Sequence, residues 1–312
     1  MSDKSVDVVC VASWNVDLIA HIPEALERGQ TVLANAFERL PGGKGSNAAI
    51  AAQRQGVQVG VIARIGGDDF GQMGLSLWAS EGVNARHVVR AAKETNGTAL
   101  ILVYADGDNS IAVYTGAGAG LKASHVEDAS AMLSQAKVVM SSCEVPLEAT
   151  LKAFELARKS GAITLLNPAP AMPLPPEIWP KVDVLTPNEG ELHALAGVSD
   201  TDQAAKHLLG LGVGHVVVTL GAKGCAHYSR VSAATGQEDV CVQALPGHVL
   251  EVVDTIGAGD TFNGALAASL ARQEPWPRAL QLANAAAALS TQGRGAVAAM
   301  PTLMQVKAFL GH

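Results

Sequence analysis

Short β-branched runs alternate with alanine-rich helical stretches over most of this 312-residue chain, and that alternation limits the available folds more than any other feature. Residues 8–11, 57–62, 138–140, 163–166, 182–185 and 216–220 read as buried strands. Between them, 46–55, 71–81, 125–135, 147–159, 189–196 and 202–209 read as helices, several closing on glycine. Such an order builds right-handed βαβ units, so the expected fold is α/β: a mainly parallel sheet covered by helices on both faces, a three-layer sandwich. The last third, with helices over 257–271, 277–292 and 302–310, reads as a helical block.

Two stretches depart from this rhythm. Residues 18–40 alternate apolar and polar positions about a Gly29-Gln30 turn, and 98–104 with 110–114 flank the turn-rich segment 105–109; both read as antiparallel ribbons. Neither can bury two faces alone. They are expected to form a small antiparallel β lid over one edge of the main domain, placed to keep water out of a cleft. Ile19, Val32, Leu100 and Leu102 are its apolar positions left exposed without a partner, an edge that invites pairing.

Composition narrows the function. Hydrophobic residues are 48% and charged residues 16%, which suits a large core and excludes disorder. The net charge of −7 supplies no basic field, so neither nucleic acid nor an anionic membrane surface is expected as a partner, and an anionic substrate must be held by a few placed donors. There is no unbroken apolar run long enough to span a membrane. The opening MSDKSVDVVC carries acids and no apolar h-region, so a cytoplasmic location is expected. Cysteines 10, 143, 225 and 241 lack metal or disulfide spacing, and the Asn96-Gly97-Thr98 sequon is expected to be inert in the cytoplasm.

Two glycine clusters carry the chemistry. In Asp254-Thr-Ile-Gly-Ala-Gly-Asp260, small residues precede a helix, so the N–H groups of Gly257, Ala258, Gly259 and Asp260 can converge on an anion where the helix dipole also favours negative charge. Asp260 in that first turn is either a helix cap or a base; a carboxylate beside an anion hole is what phosphoryl transfer to an alcohol requires. The second cluster, Pro41-Gly-Gly-Lys-Gly-Ser-Asn47, also opens a helix, and Lys44 and Asn47 add donors suited to ring hydroxyls. Gly43-x-Gly45-x-x-Ala48 formally meets the relaxed dinucleotide fingerprint, but the segment before it reads as ribbon and no strand-ending acid follows. A Walker A loop is absent.

Both clusters, in this order, resemble the two signatures of the PfkB (ribokinase-like) family of ATP-dependent carbohydrate kinases: Gly42 to Ala49 with Gly56 and Gly66 for the first, Asp254 to Asp260 and the following helix for the second. Within that family the likeness is to the ribokinases, through Asn15-Val-Asp17, Asn167-Pro-Ala-Pro-Ala171 and Thr186-Pro-Asn-Glu-Gly-Glu191. The resemblance covers the whole length. It implies a single ribokinase-like domain over 1–312, with the lid from about 15–42 and 97–115, that phosphorylates a primary hydroxyl of a small sugar, ribose to ribose 5-phosphate first. Asn15, Asp17, Gly43, Lys44, Asn47 and Glu144 would hold the sugar, with Asp260 as general base and an anion hole at 257–260. Asn188 and Glu191 would lie near the phosphates of ATP and Mg2+, Thr219, Gly221 and Gly224 would border the nucleotide with Gly259, and Asn284 would sit at the adenine side. The family's K+ site would use Asp254 and carbonyls of Ile256, Ser290, Gly293 and Gly295, but its hydroxyl ligand is replaced here by Ala299. Related ribokinases pack the lids of two subunits together, which implies a homodimer through the lid with His21 near the neighbouring pocket.

Departures from the family pattern fall at Arg28-Gly-Gln-Thr31, where ribokinases carry Pro-Gly-Glu-Thr, and at Ile256 and Gly257, where Thr and Ala are usual. They leave fructokinase and nucleoside kinase as alternatives within the family. A nicotinamide-dependent oxidoreductase and a non-catalytic sugar-binding regulator are the alternatives of another class; the intact Gly-Ala-Gly-Asp260 speaks against the regulator.

Overall fold

The computed structural model describes residues 6–232 and 238–311. Residues 1–5, half of the opening segment discussed above, lie outside them. The strands are β1 (Val8–Val11), β2 (Asn15–His21), β3 (Ala36–Gly42), β4 (Val59–Gly66), β5 (Asn84–Ala91), β6 (Gly97–Val103), β7 (Asn109–Tyr114), β8 (Val138–Ser142), β9 (Ile163–Asn167), β10 (Val184–Leu185), β11 (His215–Thr219), β12 (Gly224–Ser232) and β13 (Glu238–Pro246). The helices are α1 (Lys44–Arg54), α2 (Asp69–Ser80), α3 (Ala123–Glu127), α4 (Ser130–Leu133), α5 (Leu147–Lys159), α6 (Glu189–Ala196), α7 (Thr201–Gly210), α8 (Ala258–Ala271), α9 (Trp276–Ser290), α10 (Ala296–Ala299) and α11 (Leu303–Phe309).

Nine strands form the main sheet in the order β13-β12-β11-β10-β9-β8-β1-β4-β5, parallel except where β12 pairs with β11 and β13. The alternation of the strands explains the three layers. Val8 and Cys10 of β1 face a core built with α1, α8 and α9, whereas Val9 and Val11 face a second core with α5 and α7. Phe154 in the second core and Trp78 in the first are fully buried, and truncating either to alanine costs about 3–5 kcal/mol. β1 lies between β4 and β8, where the strand order reverses, so the C-terminal end of β1 is the crevice where open α/β sheets bind ligands.

The smaller sheet has the order β3-β2-β6-β7. Its two antiparallel ribbons, β2 with β3 and β6 with β7, are joined by a parallel β2–β6 pair, because both β2 and β6 leave the same end of the main sheet. The register places Asp17, Ile19, Ile111 and Val113 on one face and Phe37, Leu100 and Leu102 on the other. Ile19, expected to be exposed, is buried; Leu100, Phe37, Ile111 and Val113 are exposed.

Several boundaries differ from the sequence reading. The strand expected over 57–62 runs Val59–Gly66, because residues 57–58 complete the turn after α1. The helix expected over 125–135 is two short turns, α3 and α4, broken at Asp128 and Ala129. No tight hairpin closes at Gly29-Gln30; residues 22–35 form a longer connection in which Gly29 takes φ +83°. β5, β12 and β13 went unassigned because their side chains alternate irregularly or carry charges on exposed edge strands.

Candidate active site

At the crevice, residues 12–14 carry the chain from β1 into the lid, and the glycine loop before α1 lies directly on their backbone. Gly43, at φ +98°, caps α1, and a Cβ there would come within 2.7 Å of the Ser13 carbonyl; at Gly45 it would come within 2.5 Å of Ala12 Cα. Trp14 fixes the crossover by donating Nε1 to the Phe70 carbonyl at 2.9 Å and packing edge-on against Trp78. Glu144, just past β8, spans the crevice. Its Oε2 accepts from Ser13 Oγ at 2.6 Å and from the Lys44 N–H at 2.8 Å, and Ser13 Oγ accepts from the Gly45 N–H at 3.2 Å. Glu144 therefore shapes the loop with one oxygen and keeps Oε1 for another donor.

The second glycine cluster meets the first because α1 and α8 pack almost backbone to backbone. A Cβ at Gly264 would lie 2.4 Å from the Ala48 carbonyl. That closeness brings Asn47 to Asp260, whose Oδ2 accepts from Asn47 Nδ2 at 2.9 Å. Asp260 is no helix cap: Gly257, at φ +77°, holds the capping position. One of the four N–H groups expected to face an anion is spent, since Ala258 donates to the Thr255 carbonyl at 3.2 Å. Gly259 and Asp260, in the first turn, have no acceptor within the helix.

Two carboxyl groups here are held far above the usual carboxylate range. Burial pushes Asp260 up to about 6, with Glu144 and Glu191 adding to the rise and Lys44 and the Asn47 hydrogen bond opposing it. Burial also raises Asp17 to about 6, reinforced by Glu144 and opposed by Lys44. The Asp17 carboxyl lies over Gly42, where a Cβ would fall 2.6 Å from Oδ1, and Asn15 Oδ1 occupies the space a Cβ on Gly97 would need. Asn15, Asp17, Gly43, Lys44, Asn47, Glu144 and Asp260 are thus gathered at one end of β1, β2, α1 and α8.

Beyond Asp260 a cavity of about 230 Å³ is lined by Lys44, Asn188, Glu191, Thr219, Gly257 and Gly259. It shares Asn188, Thr219 and Gly259 with a larger cavity of about 420 Å³ bordered by Gly221, Gly224, His248, Phe262 and Asn284. Gly224 takes φ +98° and crosses the Leu245 carbonyl too closely for any side chain. Asn284 is buried and donates to the Pro246 carbonyl at 2.8 Å, which leaves its Oδ1 as an acceptor in the larger cavity. Asn188 and Glu191 cap α6 reciprocally: Asn188 Oδ1 accepts from the Glu191 N–H at 2.8 Å and Glu191 Oε2 from the Asn188 N–H at 2.9 Å. One Glu191 oxygen remains, a hard donor beside the smaller cavity and of the kind Mg2+ takes alongside phosphate oxygens.

The segment proposed for a monovalent cation is fastened by Asp254, whose Oδ1 accepts from the Ile256 N–H at 2.9 Å and whose Oδ2 accepts from the Gly295 N–H at 2.8 Å. Ser290 donates Oγ to the Ala287 carbonyl, and Ala299 packs beside Gly293 without a side-chain oxygen to offer. Among the described residues no group of three or more His, Cys, Asp or Glu side chains is placed to hold a metal, and no helix is long and apolar enough to cross a membrane. The four cysteines are free thiols. Asn96, the sequon asparagine, is buried and donates Nδ2 to the Trp14 and Gly97 carbonyls.

Sequence reasoning passed over Ser13 and Asn263. Asn263 is buried, lines the cavity beside Asp260, and its Oδ1 has no partner; its position one helical turn after Asp260 was the available signal. The dinucleotide fingerprint does not survive: the strand before α1 is β3, an edge strand of the lid, and Asp68 caps α2 by accepting from Gly71 N–H at 2.9 Å.

Comparison with known proteins converges on one group. The profile of the pfkB family of carbohydrate kinases matches residues 5–303. A ribokinase of Haemophilus influenzae is 34% identical over 307 residues, covering 97% of each chain. A deoxyribokinase of Salmonella typhi is 32% identical over 310 residues, covering 97% of this chain and 98% of its own. Among solved structures, that of an Arabidopsis thaliana ribokinase complexed with ribose and ATP superposes with a TM-score of 0.90 at 28% identity, covering 99% of this chain and 100% of the other.

Proposed function

Because this chain belongs to the pfkB family of carbohydrate kinases, we propose that it transfers the γ-phosphoryl group of ATP to a primary hydroxyl of a small sugar, ribose to ribose 5-phosphate. The observation that carries this reading is the contact of Asn47 with Asp260, which sets a polyol-binding turn and a base beside an anion hole in one crevice. The alternating donors and acceptors of Asn15, Asp17, Asn47 and Glu144 match neighbouring hydroxyls that both give and take hydrogen bonds. Asp260 takes the proton of the attacking hydroxyl, whose oxygen bonds to the γ-phosphorus as the bond to ADP breaks. The N–H groups of Gly259 and Asp260, with Lys44, offset the charge on the transferring group.

The larger cavity would take the adenine nucleoside, with Asn284 at its edge and Gly221 and Gly224 admitting close backbone approach. Glu191 and Asn188 would hold Mg2+ through its water shell; when bound, the ion neutralises phosphate charge. K+ would have Asp254 and the carbonyls of Ile256, Ser290, Gly293 and Gly295, one ligand short at Ala299. The chain works as one unit, its lid spanning about 15–42 and 97–115 and pairing with the lid of a second copy. A cytoplasmic location agrees with a substrate such as ATP and with four free thiols.

A coupled ADP-release screen across ribose, 2-deoxyribose, fructose and nucleosides tests the reading. Ribose should give the highest kcat/KM. Turnover of a nucleoside alone, or none with any sugar, would overturn it.

A further inference from the structure

Arg54, the last residue of α1, entered no expectation drawn from the sequence, yet its guanidinium makes four hydrogen bonds. Nε and Nη2 donate to the two oxygens of Glu81 at 2.9 and 2.7 Å. Nη1 donates to the carbonyls of Val297 at 2.7 Å and Met300 at 2.9 Å. Both side chains of the ion pair are largely withdrawn from water, Arg54 at 22% and Glu81 at 18% exposed, so the pair fixes geometry as an exposed one would not. Next to it, Gln55 donates Nε2 to the Pro301 carbonyl at 2.9 Å. The segment around α10 is thereby fastened to the end of α1.

That segment has little hold on itself. α10 is four residues long, and the bonds that close it, Ala299 N–H to Gly295 at 3.4 Å and Met300 N–H to Val297 at 3.3 Å, are long. Its opposite side touches the site at three places. Gly295 N–H donates to Asp254 Oδ2; Ala296 packs against Gly257, where a Cβ would fall 2.5 Å from its own; and Leu40 of the lid lies 3.7 Å from where a Cβ on Gly295 would sit. Gly257 is the residue whose left-handed turn aims the Gly259 and Asp260 N–H groups.

We propose that Arg54 is a positioning residue for phosphoryl transfer: clamped to Glu81, it holds α10 in place and α10 seats Gly257, so that the anion hole keeps its aim. Arg54 touches neither cavity beside Asp260. Its loss therefore acts on the transition state, where the aimed N–H groups matter, and leaves the sugar and nucleotide contacts in place.

The inference rests on the kinase reading, and the two fail differently: an inactive wild-type enzyme rejects the reading, whereas the variants below judge Arg54 against an active one. Arg54→Lys keeps the charge but cannot serve Glu81 and two carbonyls together. It should lower kcat about 10-fold or more, the scale of a small misplacement, with both KM values within about 3-fold. Arg54→Ala should regain several-fold in kcat when guanidinium ion is added at millimolar concentration, an effect that methylammonium does not reproduce. Should either variant fail to fold, Ala296→Gly, which removes the methyl seating Gly257 and leaves the clamp intact, decides the matter by the same split of kcat from KM. Unchanged kcat, or a fall in kcat matched by equal rises in both KM values and a lower Tm, would overturn the proposal.

Discussion

Asn47 gives its Nδ2 hydrogen bond to Oδ2 of Asp260 at 2.9 Å, across 213 positions of sequence. The bond fixes which way the amide points. Its Oδ1 is left buried without a partner, an arrangement that costs stability unless a ligand donates to it. A sugar hydroxyl can do so while its neighbour faces Asp260, and one contact thereby orders both the acceptor turn of α1 and the base of α8.

The elevated carboxyl groups make activity pH-dependent in a stated direction. Asp260 and Asp17, both near 6, must be ionised to take a proton and to accept sugar hydroxyls respectively. The kcat/KM for sugar should rise with pH through an apparent pKa near 6 and level off above about 7. A profile flat from pH 5 to 8, measured with saturating MgATP, would remove Asp260 as the base.

Asp260→Asn should separate catalysis from stability. Turnover should fall at least about 10²-fold, the usual loss with a general base, while sugar and ATP binding by calorimetry persist. The stability effect has the opposite sign. Because the folded pKa of about 6 lies above the unfolded 3.8, the contribution of Asp260 is favourable below pH 4 and is lost as pH rises to 6. The variant should be more stable than wild type at pH 7.5, by on the order of 3 kcal/mol, and equal to it near pH 4. Matching melting curves at pH 7.5 would contradict the burial argument.

The layers and their order were legible because β-branched runs with alanine-rich helices leave few other ways to bury apolar surface. The two glycine clusters were legible because Gly43, Gly45 and Gly264 stand where a side chain cannot fit, a constraint written in residue type. What stayed hidden depends on distance in space. Ser13 donating to Glu144 joins residues 131 positions apart, and nothing in either neighbourhood announces it. Arg54 looks like an ordinary helix-ending base until Val297 and Met300 come into reach. β13 escaped for a different reason: strand propensity reports fit to a half-buried surface, and at the edge of the sheet that surface is thin, while in β12, paired with β11 and β13, the polar His227, Ser229 and Arg230 interrupt the apolar run.

The Asp17 carboxyl lies over Gly42, apart from both cavities that would take the nucleotide, so its removal should strip acceptors from the sugar alone. Asp17→Ala should raise the sugar KM at least about 10-fold and leave the ATP KM within about 3-fold. Equal rises in both constants would point to misfolding or to a sugar site elsewhere.

Residue 299 offers a test of the cation segment. With no side-chain oxygen on Ala299, replacing K+ by choline should change kcat less than about 3-fold, and Ala299→Ser, which restores a hydroxyl, should enlarge the response. Strong K+ activation of the wild-type enzyme would mean that Asp254 and the carbonyls suffice.

The lid predicts assembly. Its register puts Phe37 and Leu100 on one face and Ile111 and Val113 on the other, all more than half exposed, so a four-stranded sheet presents apolar side chains on both sides. A single main sheet can cover only one of them, and an uncovered face on a sheet this small is unstable in water. A second copy related by a twofold axis covers the other with the same residues, the simplest closed arrangement. His21, paired with Glu38 at 3.0 Å, lies on the Asp17 face, opposite Leu100, so it would meet a neighbouring pocket only at the edge of the lid. Light scattering at micromolar concentration should therefore give twice the 32.0 kDa of one chain. Leu100→Glu should give a monomer whose sugar KM rises more than its ATP KM, because the lid that closes the sugar pocket has lost its support. A wild-type particle of 32.0 kDa with full activity would rule the dimer out.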